Sequence, residues 1–326
     1  MLSKLLSTFG SLTAMITFAT NAGSWEKLPS LPFGIGNCPC GLFGGDLIIA
    51  GGIAWQNDTK IWLDKIWRFD TKKNAWSEAG QLPHPLAYPA YGQTAQRIYV
   101  AGGGDGKSNL PASGLLDHRL HFQKLGEVPQ PLIYSGSALT AGKLYIISGA
   151  TDAVDLNTAT NLFYSVHLKT GRVEKLADFP GGKLFVPAAA ALGGRIYVFA
   201  GASYDSKSDQ AVNLDSTFVY SIADAKWNNI KPFPFPVRGL ASCVLDDRHI
   251  LLAGGYKQDF SDEAFVYDTK TDSYIQTTPL PYRAMVGLVK AGSEIYCIGG
   301  EDRMRHRSDL FYRITGKALL KQGSKP

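Results

Sequence analysis

The stretch "LIIAGG", residues 47–52, is a short apolar run closed by two small residues, and it is not alone. "IYVAGG" (98–103), "YIISGA" (145–150), "YVFAGA" (197–202), "LLAGG" (251–255) and "YCIGG" (296–300) repeat its form. Taking Gly51, Gly102, Gly149, Gly201, Gly254 and Gly299 as markers, the intervals are 51, 47, 52, 53 and 45 residues. Self-similarity at a period near 50 signals a ring or stack of equivalent units rather than separate domains.

Each unit has the same internal order. After the small pair comes a polar loop, then an aromatic strand such as "KIWRFD" (65–70), "LFYSV" (162–166), "TFVYSI" (217–222), "AFVYD" (264–268) or "DLFYRI" (309–314). A turn follows, with Trp76 and Trp227 opening an outer strand, and a Leu-Pro or Phe-Pro step leads to the next unit. Proline fits a connection that needs no ladder donor. The second unit, "LLDHRLHFQKL" (115–125), is the most degenerate. Four strands per repeat with a Gly-Gly close is the kelch pattern, so the chain is expected to be an all-β, six-bladed kelch-type β-propeller. The sixth unit stops after its third strand, and "SWEKLPSLP" (24–32) supplies the missing outer strand at the other end of the chain. The N-terminal strand should therefore close the ring and hide edges that would otherwise be exposed.

Composition agrees with this architecture. Glycine is 35 of 326 residues, hydrophobics are 45% and charged residues 19%, which suits a turn-rich packed β protein. The net charge of +5 is mild and spread, with no Lys/Arg block and no aromatic RNA-binding signature, which argues against a nucleic-acid partner. Lys4, the diluted apolar run from Leu5 to Ala19 and the small residues Thr20-Asn21-Ala22 read as a signal peptide over 1–22, so a periplasmic or secreted protein is expected, with no membrane span after cleavage. The propeller is expected over 23–315, with a tail over 316–326. Cys38, Cys40, Cys243 and Cys297 show no metal-ligand spacing.

Six copies in one chain form an internal control, because positions that serve the fold should look alike in all six. Two residues after each marker stand Ile53, Gly104, Thr151, Ser203, Tyr256 and Glu301, and only the last is an acid. Sixteen residues before each marker stand Ile35, Leu86, Ile133, Phe185, Arg238 and Arg283, of which two are arginine. Both positions belong at the same mouth of the central channel, where Arg307, Tyr88, Tyr134 and Asn37 are also expected. A cationic mouth with one acid and aromatic walls suits a small acidic ligand. "AGGGDGKS" (101–108) has Ala101 where a phosphate-binding loop needs glycine, and a strand end already explains its glycines.

With the repeat, the N-terminal segment and "GGEDRMRHR" (299–307) in view, the chain resembles the N-acetylneuraminate epimerase family, in its cyclically permuted kelch branch. The resemblance carries "SWEKLPSLP", "IWLDKIW" and "LPHPLAY" as well, and spans 24–314. It departs at Leu63, where relatives tend to have His, and in a shorter loop after Gly52. The family's acid/base pair, a Glu after a glycine and an Arg six residues on, corresponds to Glu301 and Arg307. The resemblance implies an isomerase interconverting sialic acid anomers, with Glu301 moving the proton, Arg307 holding the carboxylate, and Arg283 and Arg238 assisting. It implies no metal or cofactor. A binding-only propeller for an acidic sugar or a protein partner is the alternative. A sialidase would carry Asp-box repeats, and this chain has none.

Overall fold

The computed structural model describes residues 23–321. Within them the chain forms six four-stranded antiparallel sheets. The first blade is Cys40–Phe43, Asp46–Gln56, Thr59–Asp70 and Ala75–Gln81, running from the inside outward. Four more blades repeat that meander along the chain. The sixth is composite. Met285–Ala291, Glu294–Glu301 and Phe311–Thr315 come from the C-terminal end, and Glu26–Lys27 adds the outer strand, with Glu26 opposite Arg313. The architecture is the all-β, six-bladed propeller read from the repeat, closed by the N-terminal strand.

One backbone hydrogen bond recurs at every junction between blades. The amide of the second small residue in each strand-closing pair donates to the segment leading into the next blade's inner strand. The six bonds are Gly52 to Leu86, Gly103 to Leu132, Gly149 to Leu184, Gly201 to Val237, Gly255 to Ala284 and Gly300 to Ile35, at 2.8–3.0 Å. The last returns from the sixth blade to the first, so the stitching is circular. The second position is glycine in all six copies, at φ between 84° and 107°. A Cβ on Gly52 would stand 2.8 Å from the carbonyl oxygen of Gly36, and one on Gly103 2.8 Å from that of Ala87. Glycine is thus required both by its dihedral and by the crossing backbone. The first position tolerates Ser148 and Ala200, each at φ 54°.

These bonds fix which residues are equivalent, and they revise the register read from the sequence. Ser148-Gly149 and Ala200-Gly201 align with Gly51-Gly52, so the markers in the third and fourth blades stand one place late. The residues facing one another across the small pairs are Gly36 and Ile53, Ala87 and Gly104, Ile133 and Ala150, Phe185 and Ala202, Arg238 and Tyr256, and Met285 and Glu301. Met285, not Arg283, is the equivalent of Arg238. Most of these pairs span the same number of residues, but the sixth is shorter, and a fixed offset lands two residues early.

Among the described residues six large core clusters each fill the gap between consecutive blades, and a small seventh, Ala159, Phe185 and Ala202, lies between the third and fourth blades. Between the sixth and first, Phe311 packs edge-on against Phe69 with centroids 4.9 Å apart, and Trp76 lies 5.2 Å from Phe311. Leu28 and Leu31 of the N-terminal segment are buried in the same cluster. The segment expected as a tail begins with a helix, Gly316–Lys321, whose Ala318 and Leu319 are buried against the fifth and sixth blades.

Candidate functional site

A cavity of about 330 Å³ opens where the inner strands begin, lined among others by Asn37, Tyr88, Tyr134, Val186, Met285 and Glu301. The residue following each inner-strand bridge in blades one to five takes a positive φ: Asn37 58°, Tyr88 56°, Tyr134 58°, Val186 46° and Gly239 69°. Such dihedrals are uncommon for bulky residues. Repetition in five blades makes the dihedral a property of the fold, while the side chain it carries to the cavity differs from blade to blade. The side chains in the first three blades are a carboxamide and two phenols.

Glu301 ends the strand Glu294–Glu301, and its side chain keeps 24% of its surface exposed. Arg307, at 4%, lies against it with Nη1 3.2 Å from Oε2. The loop between them is tied by Asp302 and His306, Oδ1 to Nδ1 at 2.5 Å, and by the Ser308 amide donating to the Gly300 carbonyl. Arg307 Nη1 also donates to the His306 carbonyl at 2.9 Å. Its Nε is buried with no hydrogen-bond partner among the described residues. Two glycines of the first blade make room for this arginine. A Cβ on Gly36 would stand 2.9 Å from Arg307 Cδ, and one on Gly34 would collide with the Arg307 carbonyl oxygen. Neither glycine belongs to the repeated pairs, so the period does not mark them. Arg303 and Arg305 of the same loop are exposed.

Arg238 comes from the fifth blade. Its Nη1 donates to Asn213 Oδ1 at 2.8 Å, and its guanidinium lies 4.4 Å from the Tyr256 ring centroid. Burial lowers its pKa, opposed by Tyr256 and by Glu301, so Arg238 and Glu301 sense each other electrostatically. The structure does not bring Arg283 to the cavity. Its side chain is 65% exposed, 3.8 Å from Asp262, and lines a separate groove on the fifth blade. The two-residue slip in register described above is the reason.

Tyr134 packs edge-on against Tyr88 with centroids 4.6 Å apart, and its hydroxyl donates to the Ala153 carbonyl at 3.2 Å. Burial, Tyr88 and Glu301 all push its pKa up, so the phenol stays a neutral hydrogen-bond donor. The four cysteines are free thiols. Burial pushes Cys40 to about 11 and Cys243 to about 12, so neither is an activated nucleophile. Among the described residues no group of His, Cys, Asp and Glu is placed to hold a metal ion, and no helix is long and apolar enough to cross a membrane.

Residues 127–277 match the N-acetylneuraminate epimerase family model, and residues 36–83 match the kelch motif. The chain is a kelch propeller similar to the N-acetylneuraminate epimerases. Over 111 residues it is 33% identical to the N-acetylneuraminate epimerase of Pasteurella multocida, covering 33% of this chain and 29% of that one. Over 125 residues it is 27% identical to the N-acetylneuraminate epimerase of Vibrio cholerae, covering 34% and 33%. A kelch domain-containing protein of Vibrio cholerae is 25% identical over 134 residues, covering 40% and 37%. The matched stretches thus span about a third of these relatives. Glu301 and Arg307 lie beyond the residues matched by the epimerase family model, so their pairing rests on the geometry alone.

Proposed function

We propose that the protein is an isomerase that interconverts the α and β anomers of N-acetylneuraminate, with Glu301 as its acid/base. The observation that carries the reading is the sixfold comparison in its structural register. Among Ile53, Gly104, Ala150, Ala202, Tyr256 and Glu301, one position alone is an acid. That acid opens on a cavity with phenol walls and is braced from behind by a buried arginine. The similarity to N-acetylneuraminate epimerases supplies the substrate class.

The chemistry needs only proton movement. Glu301 takes the proton from the anomeric hydroxyl. The bond from the anomeric carbon to the ring oxygen breaks, and the ring oxygen accepts a proton, leaving an open-chain ketone. Rotation about the adjacent carbon–carbon bond presents the other face, and reclosure reverses the transfers. A positioned acid/base contributes roughly 10²–10⁴-fold. The sequence had suggested Arg307 for the substrate carboxylate. Buried and paired with Glu301, it serves better as the brace that aims that side chain. Arg238, half-buried and fixed by Asn213 and Tyr256, is the cation offered to the substrate's carboxylate. Export through residues 1–22, which lie outside the described residues, would place the reaction in the periplasm or outside the cell.

One-dimensional proton NMR of freshly dissolved sialic acid tests the reading. Wild-type protein should shorten the approach to anomeric equilibrium, and Glu301→Gln should return it to the uncatalysed rate. Equal rates for the two proteins would remove Glu301 from the mechanism. The similarity to a kelch domain-containing protein favours a second reading, a propeller that binds without catalysis. Saturable binding of the sugar with no faster exchange would establish it.

A further inference from the structure

Tyr88 of the cavity wall is packed against a group of the first blade that the proposed reaction does not use. Lys60 and Trp62 stand two residues apart on Thr59–Asp70, and so on one face of that strand. Lys60 Nζ lies 4.8 Å from the Trp62 ring centroid and 4.9 Å from that of Tyr88. Trp62 meets Tyr88 edge-on at 5.7 Å, and Tyr88 meets Tyr134 at 4.6 Å. A line of aromatic rings therefore runs from this strand to the wall that Tyr134 shares with Glu301.

The indole has a built seat. A Cβ on Gly104 would come within 3.4 Å of the Trp62 ring, and one on Gly106, at φ 93°, within 2.6 Å. The glycines of "AGGGDGKS" (101–108), set aside above as a strand end, thus leave space for this tryptophan. Among the described residues Lys60 has no carboxylate partner, and its ammonium is held by two π faces instead. Such an ammonium offers N–H donors to ligand oxygens, while the rings offer faces to C–H groups. Arg238 belongs to the fifth blade, on the other side of the sixth-blade Glu301 from the first blade.

We propose that Lys60, Trp62 and Tyr88 form a distal subsite that grips the hydroxylated side chain of a sugar acid whose reacting carbon lies at Glu301. This subsite makes the protein select long-chain sugar acids over short ones. The proposal rests on the substrate class given above and deepens it.

The experiment compares two probes by calorimetric or NMR titration. One is N-acetylneuraminate, and the other is the same acid with a shortened side chain. It is made by periodate cleavage and borohydride reduction of the methyl glycoside and then acid release of the glycoside, so that the anomeric carbon is protected from reduction. Wild-type protein should bind the full acid roughly tenfold more tightly, the scale of a hydrogen bond to a charged donor. Lys60→Gln and Trp62→Ala should bind the two acids alike. Gly106→Ala, which pushes the indole off its seat, should reduce the ratio in the same direction. Glu301→Gln should keep the tenfold preference while losing anomer exchange. A wild type with no preference, or a Lys60→Gln protein that keeps it, overturns the subsite. A wild type that shows the preference but accelerates the exchange of neither acid supports the subsite and ends the isomerase reading alone.

Discussion

Glu301 owes its interest to the five residues that stand in its place elsewhere. Glycine, isoleucine, alanine and tyrosine satisfy the same backbone bridge, so the fold does not ask for a carboxylate there. The arginine that holds it in place depends in turn on glycines that leave it room. Gly36→Ala should be among the most damaging single-methyl changes, because the added Cβ meets Arg307 Cδ at 2.9 Å and Gly300 Cα at 3.2 Å. Overpacking of this kind costs about 1–3 kcal/mol, and Arg307 must shift to relieve it. Urea unfolding should show the loss of stability, and the NMR exchange assay a loss of rate beyond what the unfolded fraction explains. Arg307→Lys keeps a charge but replaces a planar, many-donor brace by a single ammonium. It should slow exchange at least tenfold while thermal unfolding changes little compared with Gly36→Ala.

At the scale of the strand, the glycine pairs were legible because they answer to two local demands, a left-handed dihedral and a close backbone crossing. Their exact register was not. Ser148 and Ala200 occupy the first position without strain enough to exclude them, so matching glycine to glycine slips by one in those blades. The sixth blade's shorter span then displaced Arg283 from the site. Two predictions belong here. Phe311→Ala removes a fully buried ring from the junction of the sixth and first blades. It should cost roughly 3–5 kcal/mol in urea or thermal unfolding. Asp268, at the end of Ala264–Asp268, receives Arg248 through Nε at 2.7 Å and through Nη2. The Arg248 guanidinium holds its carboxyl well below the usual carboxylate range. A lowered folded-state pKa means stability that is fully present above the unfolded value, near 3.9, and lost as pH falls toward the folded value. Wild type should therefore exceed Asp268→Asn in melting temperature at neutral pH, and the gap should narrow steadily below about pH 4.

For the whole molecule, closure is the decisive event. The N-terminal segment adds one short strand, Glu26–Lys27, but it also buries Leu28 and Leu31 and carries the acceptor, Ile35, of the sixth stitching bond. The exposed Glu26–Arg313 pair itself contributes little, about 0–1 kcal/mol. Removing residues 23–31 should therefore destabilise the ring far more than Glu26→Gln, and should leave the strand Phe311–Thr315 as an open edge. Size-exclusion chromatography of the truncated chain is expected to show aggregation, while Glu26→Gln remains unchanged.

The repeat alone determined the number of blades, their order and the way the ring closes, because strand alternation, turn glycines and the period are local properties written along the chain. It also marked Glu301, since an acid in one copy of six is visible without coordinates. Other features were decided by tertiary structure. Arg307 turned inward to brace Glu301, Arg283 fell outside the mouth, and Lys60 and Trp62 came against Tyr88 over the glycines of the next blade. These depend on how one blade's loop packs on its neighbour. That packing joins residues far apart in sequence, and no period in the chain records it.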